Sequence, residues 1–219
     1  MSETKSTKCP LPLYHGTSTL FVDSIKQFGL GGKNIIQEGK VLEFARKIFP
    51  LVKDNLPEND GSGHAVSAFQ DMVEQQPLFQ HGQVFLNLSY DYCTRFTQQR
   101  EFGSELISHS LYYYGKLLER NLVSPDLLND YHYLKEAKRI GSKPVVVTVK
   151  DVDWDNLLME NGNALPTEDI EKILSFSEWN ESNVKELVRR AYSFRLIKAI
   201  PSGEIEFDFT PSTKYPKDI

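Results

Sequence analysis

The chain has little cysteine, no long apolar run and no excess of positive charge, and each shortage excludes a class of protein. Cys9 and Cys93 are the only cysteines in 219 residues, and their spacing fits neither a zinc site nor a disulfide framework. No stretch approaches the roughly eighteen apolar residues of a membrane-spanning helix. The N-terminal MSETKSTKCPLP lacks the apolar core of a cleaved signal peptide. We therefore expect no metal and no membrane partner, and a location in the cytoplasm or in a host cytosol reached without a cleaved signal.

Charge and composition narrow the function classes further. The net charge is −5 and no Lys/Arg run stands out, so strong binding to duplex nucleic acid is not supported. An apolar content of 40% with 11% aromatics suffices for an ordinary core, and the length fits one domain over residues 1–219. Neither G-x-G-x-x-G nor a Walker motif is present, so a doubly wound dinucleotide fold and a P-loop enzyme are both disfavoured.

Hydrophobic periodicity predicts strands and helices in an irregular order. The predicted strands are residues 11–16, 83–89, 143–154, 193–200 and 203–209, the last two separated by a tight turn. The predicted helices are residues 20–30, 38–56 (with Pro50 as a kink or break), 64–76, 90–99, 105–121, 124–141, 166–176 and 181–192. Long helical stretches between strands predict an α+β domain. Residues 38–80 and 104–140 exceed a minimal core, and we expect them to be helical insertions that form a lobe beside it.

The late strand GEIEFDF carries three acidic residues on one face. Alternation places Glu204, Glu206 and Asp208 together, opposite Ile205 and Phe207. One interpretation is an edge strand with a wet, acidic face. The other is a carboxylate aimed at a developing positive charge, as in reactions at a glycosidic carbon.

Two aromatics and one histidine also have two interpretations each. Phe85 on a strand and Phe96 on the next helix could sandwich a planar ring, or could be core residues. His15, predicted at a strand end, is a satisfied polar residue or a ligand contact. The other four histidines form no metal spacing with it, and His109 and His132 are predicted to be surface or packing residues on helices.

The order of these pieces resembles a known family. A strand ending in YHGT, a following helix with VDSI, a strand and helix with spaced aromatics, and a late strand with IEF resemble the mono-ADP-ribosyltransferases. The resemblance is greatest to the diphtheria-toxin and poly-ADP-ribose-polymerase branch, which uses a histidine, aromatics and a glutamate. It covers three short blocks, 13–30, 83–97 and 194–209. It implies an ADP-ribosyltransferase-like split β-sandwich core with helical insertions.

The resemblance also implies a reaction and a ligand. NAD would be the substrate, its nicotinamide–ribose bond would be cleaved, and ADP-ribose would pass to a macromolecular acceptor, with a protein favoured by the acidic charge. A toxin, an effector and a housekeeping enzyme would share these features. His15 would hydrogen-bond the adenosine-side ribose, the backbone of Gly16 would meet the nicotinamide carboxamide, and the hydroxyl of Thr17 or Ser18 would contact the ribose.

The remaining site residues follow from the other two blocks. Phe85 and Phe96 match the family's nicotinamide-stacking positions, which are typically tyrosines. Glu206 matches the catalytic glutamate, and Glu204 is its helper in an E-x-E pair. If the register is one pleat off, the roles of the two glutamates are exchanged. In another branch the E-x-E favours arginine acceptors.

Three other functions stay open beside the transferase. An NAD glycohydrolase would use water in place of the acceptor. A catalytically silent domain would keep the fold to bind a partner, and the two phenylalanines agree with such a loss. An RNA 2′-phosphotransferase would need paired arginines and histidines, which the segment around His15 lacks.

Overall fold

The computed structural model describes residues 7–59, 61–62, 64–74, 81–100, 102–176 and 188–212. The chain divides into two compact units. The first comprises residues 1–33, 83–99 and 144–219, and the second comprises residues 34–82 and 100–143. Both segments predicted as helical insertions fall within the second unit. The predicted helix 181–192 lies mostly outside the described residues.

The first unit contains an antiparallel six-stranded sheet. Its strands are β1 (Leu13–Ser18), β2 (Val84–Asn87), β3 (Pro144–Val149), β4 (Leu157–Met159), β5 (Ser193–Leu196) and β6 (Ile205–Asp208), in the order β4-β5-β2-β1-β3-β6. The predicted α+β class is confirmed. Strand β4 was not predicted, because three residues are too few for an alternating pattern to show.

The last two strands do not form the simple pair that a tight turn between them suggests. Strand β5 lies between β2 and β4, whereas β6 lies at the opposite edge beside β3. The connection between β5 and β6 is bonded to the segment around residue 30, since Leu30 and Ile200 exchange two backbone hydrogen bonds of 2.9 and 3.0 Å. A 3-10 turn, Ser202–Glu204, then leads into β6. The chain therefore crosses from one side of the sheet to the other.

Strand β1 pairs with far fewer residues of β2 than of β3. All six residues of β1 pair with β3, from Leu13 opposite Val149 to Ser18 opposite Pro144. With β2, the pairing is confined to Tyr14 opposite Asn87. A gap therefore opens between β1 and β2 beyond that pair.

The helices are α1 (Thr19–Phe28), α2 (Ile35–Glu38), α3 (Val41–Asn55), α4 (Val66–Val73), α5 (Tyr90–Gln99), α6 (Glu105–Glu119), α7 (His132–Ile140) and α8 (Thr167–Phe176). In the first unit, α1 and α8 contribute Val22, Ile25 and Ile173 to the apolar core of the sheet. Helix α5 instead packs against β1 and β3. Helix α1 ends at Phe28 and is capped by Gly29, whose φ of 81° suits glycine. No helix in the described part of the chain is long and apolar enough to cross a membrane.

The second unit is helical among its described residues. Helix α3 packs on α6 and α4, and Phe44 meets Tyr114 and Tyr131 edge to face, with ring centroids 5.8 and 5.0 Å apart. Pro50 does not end α3, which continues to Asn55 with the proline exposed. The predicted helix 124–141 is two pieces, a 3-10 helix and α7, because Tyr131 between them has φ −122° and ψ 66°.

Candidate functional site

His15 lies in the middle of β1 rather than at its end, where the sequence placed it. Its Nδ1 lies 2.9 Å from the carbonyl oxygen of Phe85 across the gap between β1 and β2. Since a carbonyl only accepts, Nδ1 carries the hydrogen and Nε2 keeps its lone pair. Burial lowers the pKa of the imidazole below its ordinary 6.5, and the bond to Phe85 opposes this only in part. His15 is therefore neutral at pH 7.

Register places the imidazole on the apolar face of the sheet. His15 is opposite Val147, which is opposite Phe207 on β6, and paired residues of neighbouring strands project to the same side. Val147 belongs to the buried core, and Phe207 packs against it. The imidazole thus fills the gap from the core side.

Gly16 projects to the other face, directly under α5. A Cβ built on it would lie 2.8 Å from the carbonyl oxygen of Cys93, 2.9 Å from Cγ2 of Thr97 and 3.2 Å from Cδ1 of Phe96. Two of these distances are shorter than side chains tolerate, and one of the two atoms is rigid backbone. Glycine is therefore required here by the close packing of α5 on β1, whether or not a ligand also meets its backbone.

The two predicted aromatics come together with Gly16. Phe85 shares a face with Asn87, which is opposite Tyr14, and Tyr14 shares a face with Gly16. Phe96 extends from α5 towards the same glycine, and both phenylalanines are half-buried. Gly16, Phe85 and Phe96 thus border the gap on one face, and His15 borders it on the other.

Thr17 and Ser18 complete β1 but are buried. Thr17 is opposite Val145 and 2% exposed, and Ser18 is the N-cap residue of α1 and 1% exposed. Their hydroxyls face protein, so a contact with a ribose would need the end of β1 to open.

The two predicted glutamates lie away from the gap. Glu206 is exposed on the edge strand β6, and its Oε1 lies 2.7 Å from Nζ of Lys150. It faces the same side as Phe85, but β1 and β3, covered by α5, lie between them. Glu204 is exposed in the 3-10 turn before β6. These placements agree with the interpretation of an acidic edge strand.

Sequence reasoning missed two polar residues on this face. The hydroxyl of Tyr90, at the start of α5, donates a hydrogen bond to Asp208 of β6. Burial and then the Asp208 carboxylate raise the pKa of Tyr90 to about 12. Arg195 of β5 is opposite Phe85. Local sequence patterns identify neither residue, because the contacts of both depend on strand order: Tyr90 and Asp208 are 118 positions apart.

Among the described residues, no group of three or more His, Cys, Asp and Glu side chains could hold a metal ion. In comparisons with known proteins, the chain matches no protein-family model, no curated protein and no solved structure. The resemblance to the ADP-ribosyltransferases therefore depends on the motifs alone, and the function stays a prediction.

Proposed function

We propose that this chain binds NAD at the gap between β1 and β2 and acts as an ADP-ribosyltransferase with an ADP-ribosyltransferase-like split sheet. The observation that supports this is that Gly16, Phe85 and Phe96 on one face, and His15 on the other, border the place where β1 and β2 are joined by a single residue pair. These four residues come from two separate sequence blocks, 13–30 and 83–97, and the family resemblance assigns each of them to NAD. The nicotinamide would enter between the two phenylalanine rings, which favour offset stacking with a planar ring.

In the proposed reaction, the bond between nicotinamide and C1′ of its ribose breaks, and nicotinamide leaves with the bonding electrons. The resulting oxocarbenium-like carbon is attacked by a nucleophile of a macromolecular acceptor, favoured to be a protein. His15 borders the gap on the opposite face, and its hydrogen bond to the Phe85 carbonyl supports binding by holding β2 beside β1. A contact between Nε2, whose lone pair can accept a hydrogen bond, and a ribose hydroxyl would require the gap to widen. In the glycohydrolase alternative, water attacks the same carbon.

A catalytically silent NAD-binding domain is the second candidate, and the position of Glu206 favours it. From β1 to β6 the sheet spans two strand spacings, about 10 Å. The carboxylate of Glu206 is exposed and paired with Lys150 rather than directed at the gap. A carboxylate stabilises an oxocarbenium only at close range, because exposed charges are strongly screened by solvent.

The test combines binding and turnover with NAD that is labelled in its adenylate. We expect saturating NAD to raise the Tm of the wild type, since ligand at a hundred times its Kd adds about 2.7 kcal/mol of stability. Phe85→Leu should lose most of that rise because the ring is lost, while Phe207→Leu, an aromatic on the opposite face, should keep it. No rise for the wild type would refute the proposal.

Turnover then separates the candidates. Label on a discrete macromolecule from a cell lysate identifies a transferase, and label in free ADP-ribose identifies a glycohydrolase. An NAD-dependent Tm rise without turnover identifies a silent domain. Glu206→Gln and Glu204→Gln should both keep the NAD-dependent Tm rise. If only one of the two variants loses turnover, the glutamate replaced in that variant is the catalytic carboxylate. If both keep turnover, neither glutamate takes part in the reaction.

A further inference from the structure

Arg195 is the cation that the sheet places beside the proposed nicotinamide site. It is opposite Phe85 of β2 on one side and opposite Leu158 of β4 on the other. Because paired residues project to the same face, the guanidinium stem rises next to the Phe85 ring. Arg195 thus belongs to the face where Gly16, Phe85 and Phe96 meet, one strand further from β1.

The guanidinium lies against the turn that follows β4. A Cβ built on Gly162 would lie 3.1 Å from Nη2 and 3.2 Å from Nη1 of Arg195. Gly162 also has a φ of 87°, which a side chain rarely adopts. Glycine at this position therefore leaves room for the planar head of Arg195, which is half-buried. The head of the long side chain is therefore packed against the turn after β4.

The distance between the guanidinium and the gap determines which part of NAD Arg195 could bind. A fixed positive charge at C1′ would oppose the oxocarbenium, so a guanidinium close to the nicotinamide would hinder the reaction. The guanidinium lies at the turn after β4, and β4 is two strand spacings, about 10 Å, from β2, which carries Phe85. In NAD, the nicotinamide and the diphosphate are separated by one ribose, so a ring held near Gly16 and Phe85 allows the diphosphate to extend towards β5. Guanidinium groups bind phosphates through two parallel hydrogen bonds, and their charge is permanent.

We propose that Arg195 binds the diphosphate of NAD and thereby sets the direction in which the dinucleotide extends from the gap, across β2 towards β5. This inference depends on the proposed function, since it assumes that the nicotinamide lies at Phe85. It assigns the affinity for ADP-ribose to a residue that no sequence motif singles out. It also predicts that the affinity for the nicotinamide part is independent of Arg195.

The test compares three ligands by isothermal titration: NAD, ADP-ribose and nicotinamide. In Arg195→Gln, the Kd for NAD and for ADP-ribose should rise at least about tenfold, which corresponds to the loss of one charge-assisted hydrogen bond pair. The Kd for nicotinamide should change by less than about twofold, which is smaller than the effect of losing a single contact. Arg195→Lys keeps the positive charge but cannot form two parallel hydrogen bonds, so its Kd values for NAD and ADP-ribose should lie between those of the wild type and of Arg195→Gln. The matched control is Lys198→Gln, which removes an exposed charge three positions away.

Three results would overturn the inference, and they can be told apart. Wild-type affinity for NAD and ADP-ribose in Arg195→Gln shows that Arg195 does not bind the diphosphate, although NAD still binds at the gap. An equal loss for all three ligands, in Arg195→Lys as well, shows that Arg195 acts by maintaining the fold. No NAD binding by the wild type overturns the proposed function together with this inference.

Discussion

At the scale of single residues, Gly16 has a packing role that the structure shows and a ligand role that is proposed. The family resemblance assigns it to a close approach of nicotinamide, and the structure shows that it also lets α5 approach β1. The two roles are compatible, because α5 needs the space of the missing side chain whereas a carboxamide would need the backbone groups. A glycine in a motif is therefore weak support for a ligand until its packing is known.

We expect Gly16→Ala to destabilise the first unit by about 1–3 kcal/mol, the usual cost of overpacking a site that cannot relax. The Cβ would meet the Cys93 carbonyl at 2.8 Å, and backbone cannot move aside cheaply. Urea unfolding followed by circular dichroism measures the change. Gly115→Ala in α6 is the control, because apart from its own helix backbone and chain neighbours no atom of the described residues would lie within 4 Å of the added Cβ. It should be neutral or stabilising by about 0.5–1 kcal/mol. Equal effects of the two substitutions would contradict the packing argument.

At the scale of secondary-structure elements, α5 is held to the sheet at two places. Its middle packs on β1 and β3 over Gly16, and its first residue, Tyr90, is bonded to Asp208 on β6. The ring of Tyr90 also meets Tyr14 edge to face, with centroids 5.5 Å apart. Since Phe96 is carried by the same helix, these contacts determine where the second aromatic stands relative to Phe85.

Tyr90→Phe should lower the free energy of unfolding by about 1.5–3 kcal/mol, because a hydrogen bond to a charged group is lost while the ring is retained. It should also remove the tyrosine titration near pH 12 that the raised pKa of Tyr90 predicts. Chemical unfolding measures the first effect, and absorbance of tyrosinate during alkaline titration measures the second. Tyr92→Phe, at an exposed position on the same helix, should change stability little. A stability of Tyr90→Phe equal to that of the wild type would show that the bond contributes nothing.

At the scale of the whole molecule, three buried or half-buried histidines make stability depend on pH. His15, His81 and His109 each have a pKa lowered from 6.5, in every case chiefly by burial. His109 is 2% exposed, its Nδ1 donates to the Glu105 carbonyl at 3.0 Å, and its Nε2 is buried with no hydrogen-bond partner among the described residues. It is a packing residue, and His132 is exposed, as the sequence predicted.

The sign of the pH effect follows from the direction of these shifts. A histidine whose pKa is lower in the folded state binds more protons when unfolded, so unfolding is favoured as pH falls below 6.5 and the loss levels off below the folded pKa. We expect stability from these groups to be constant above about pH 7.5, one unit above the unfolded value. Urea unfolding at a series of pH values between 5 and 8 measures the slope. His109→Gln should reduce it and His132→Gln should not; a slope unchanged by His109→Gln would contradict the assignment.

Local sequence patterns predicted most of the secondary structure. The 3.6-residue periodicity placed α1, α3 and α6 within three residues of their bounds, because each buries one continuous apolar stripe. The strands were placed less well: β1 was predicted at 11–16 and lies at 13–18, and β3 was predicted at 143–154 and ends at Val149. The acidic and apolar faces of β6 were also correct, with Glu206 outside and Phe207 against the core. Strand β4 and the interruption at Tyr131 could not be predicted, since a short strand and a single dihedral change leave no period in the sequence.

The sequence by itself determined the class of the fold and five of the six strands of the sheet, because each of these depends on side chains close together in the chain. The choice of His15, Gly16, Phe85 and Phe96 depended on the family resemblance. Only the tertiary structure decided which strands are neighbours. Strand β6 lies at the opposite edge of the sheet from β4 and β5, so Glu206 is far from Phe85, whereas β5 is the neighbour of β2 and places Arg195 opposite Phe85. Strand order is set by the sum of many long-range apolar contacts rather than by any local pattern, and for this reason the aromatics could be predicted and their charged neighbour could not.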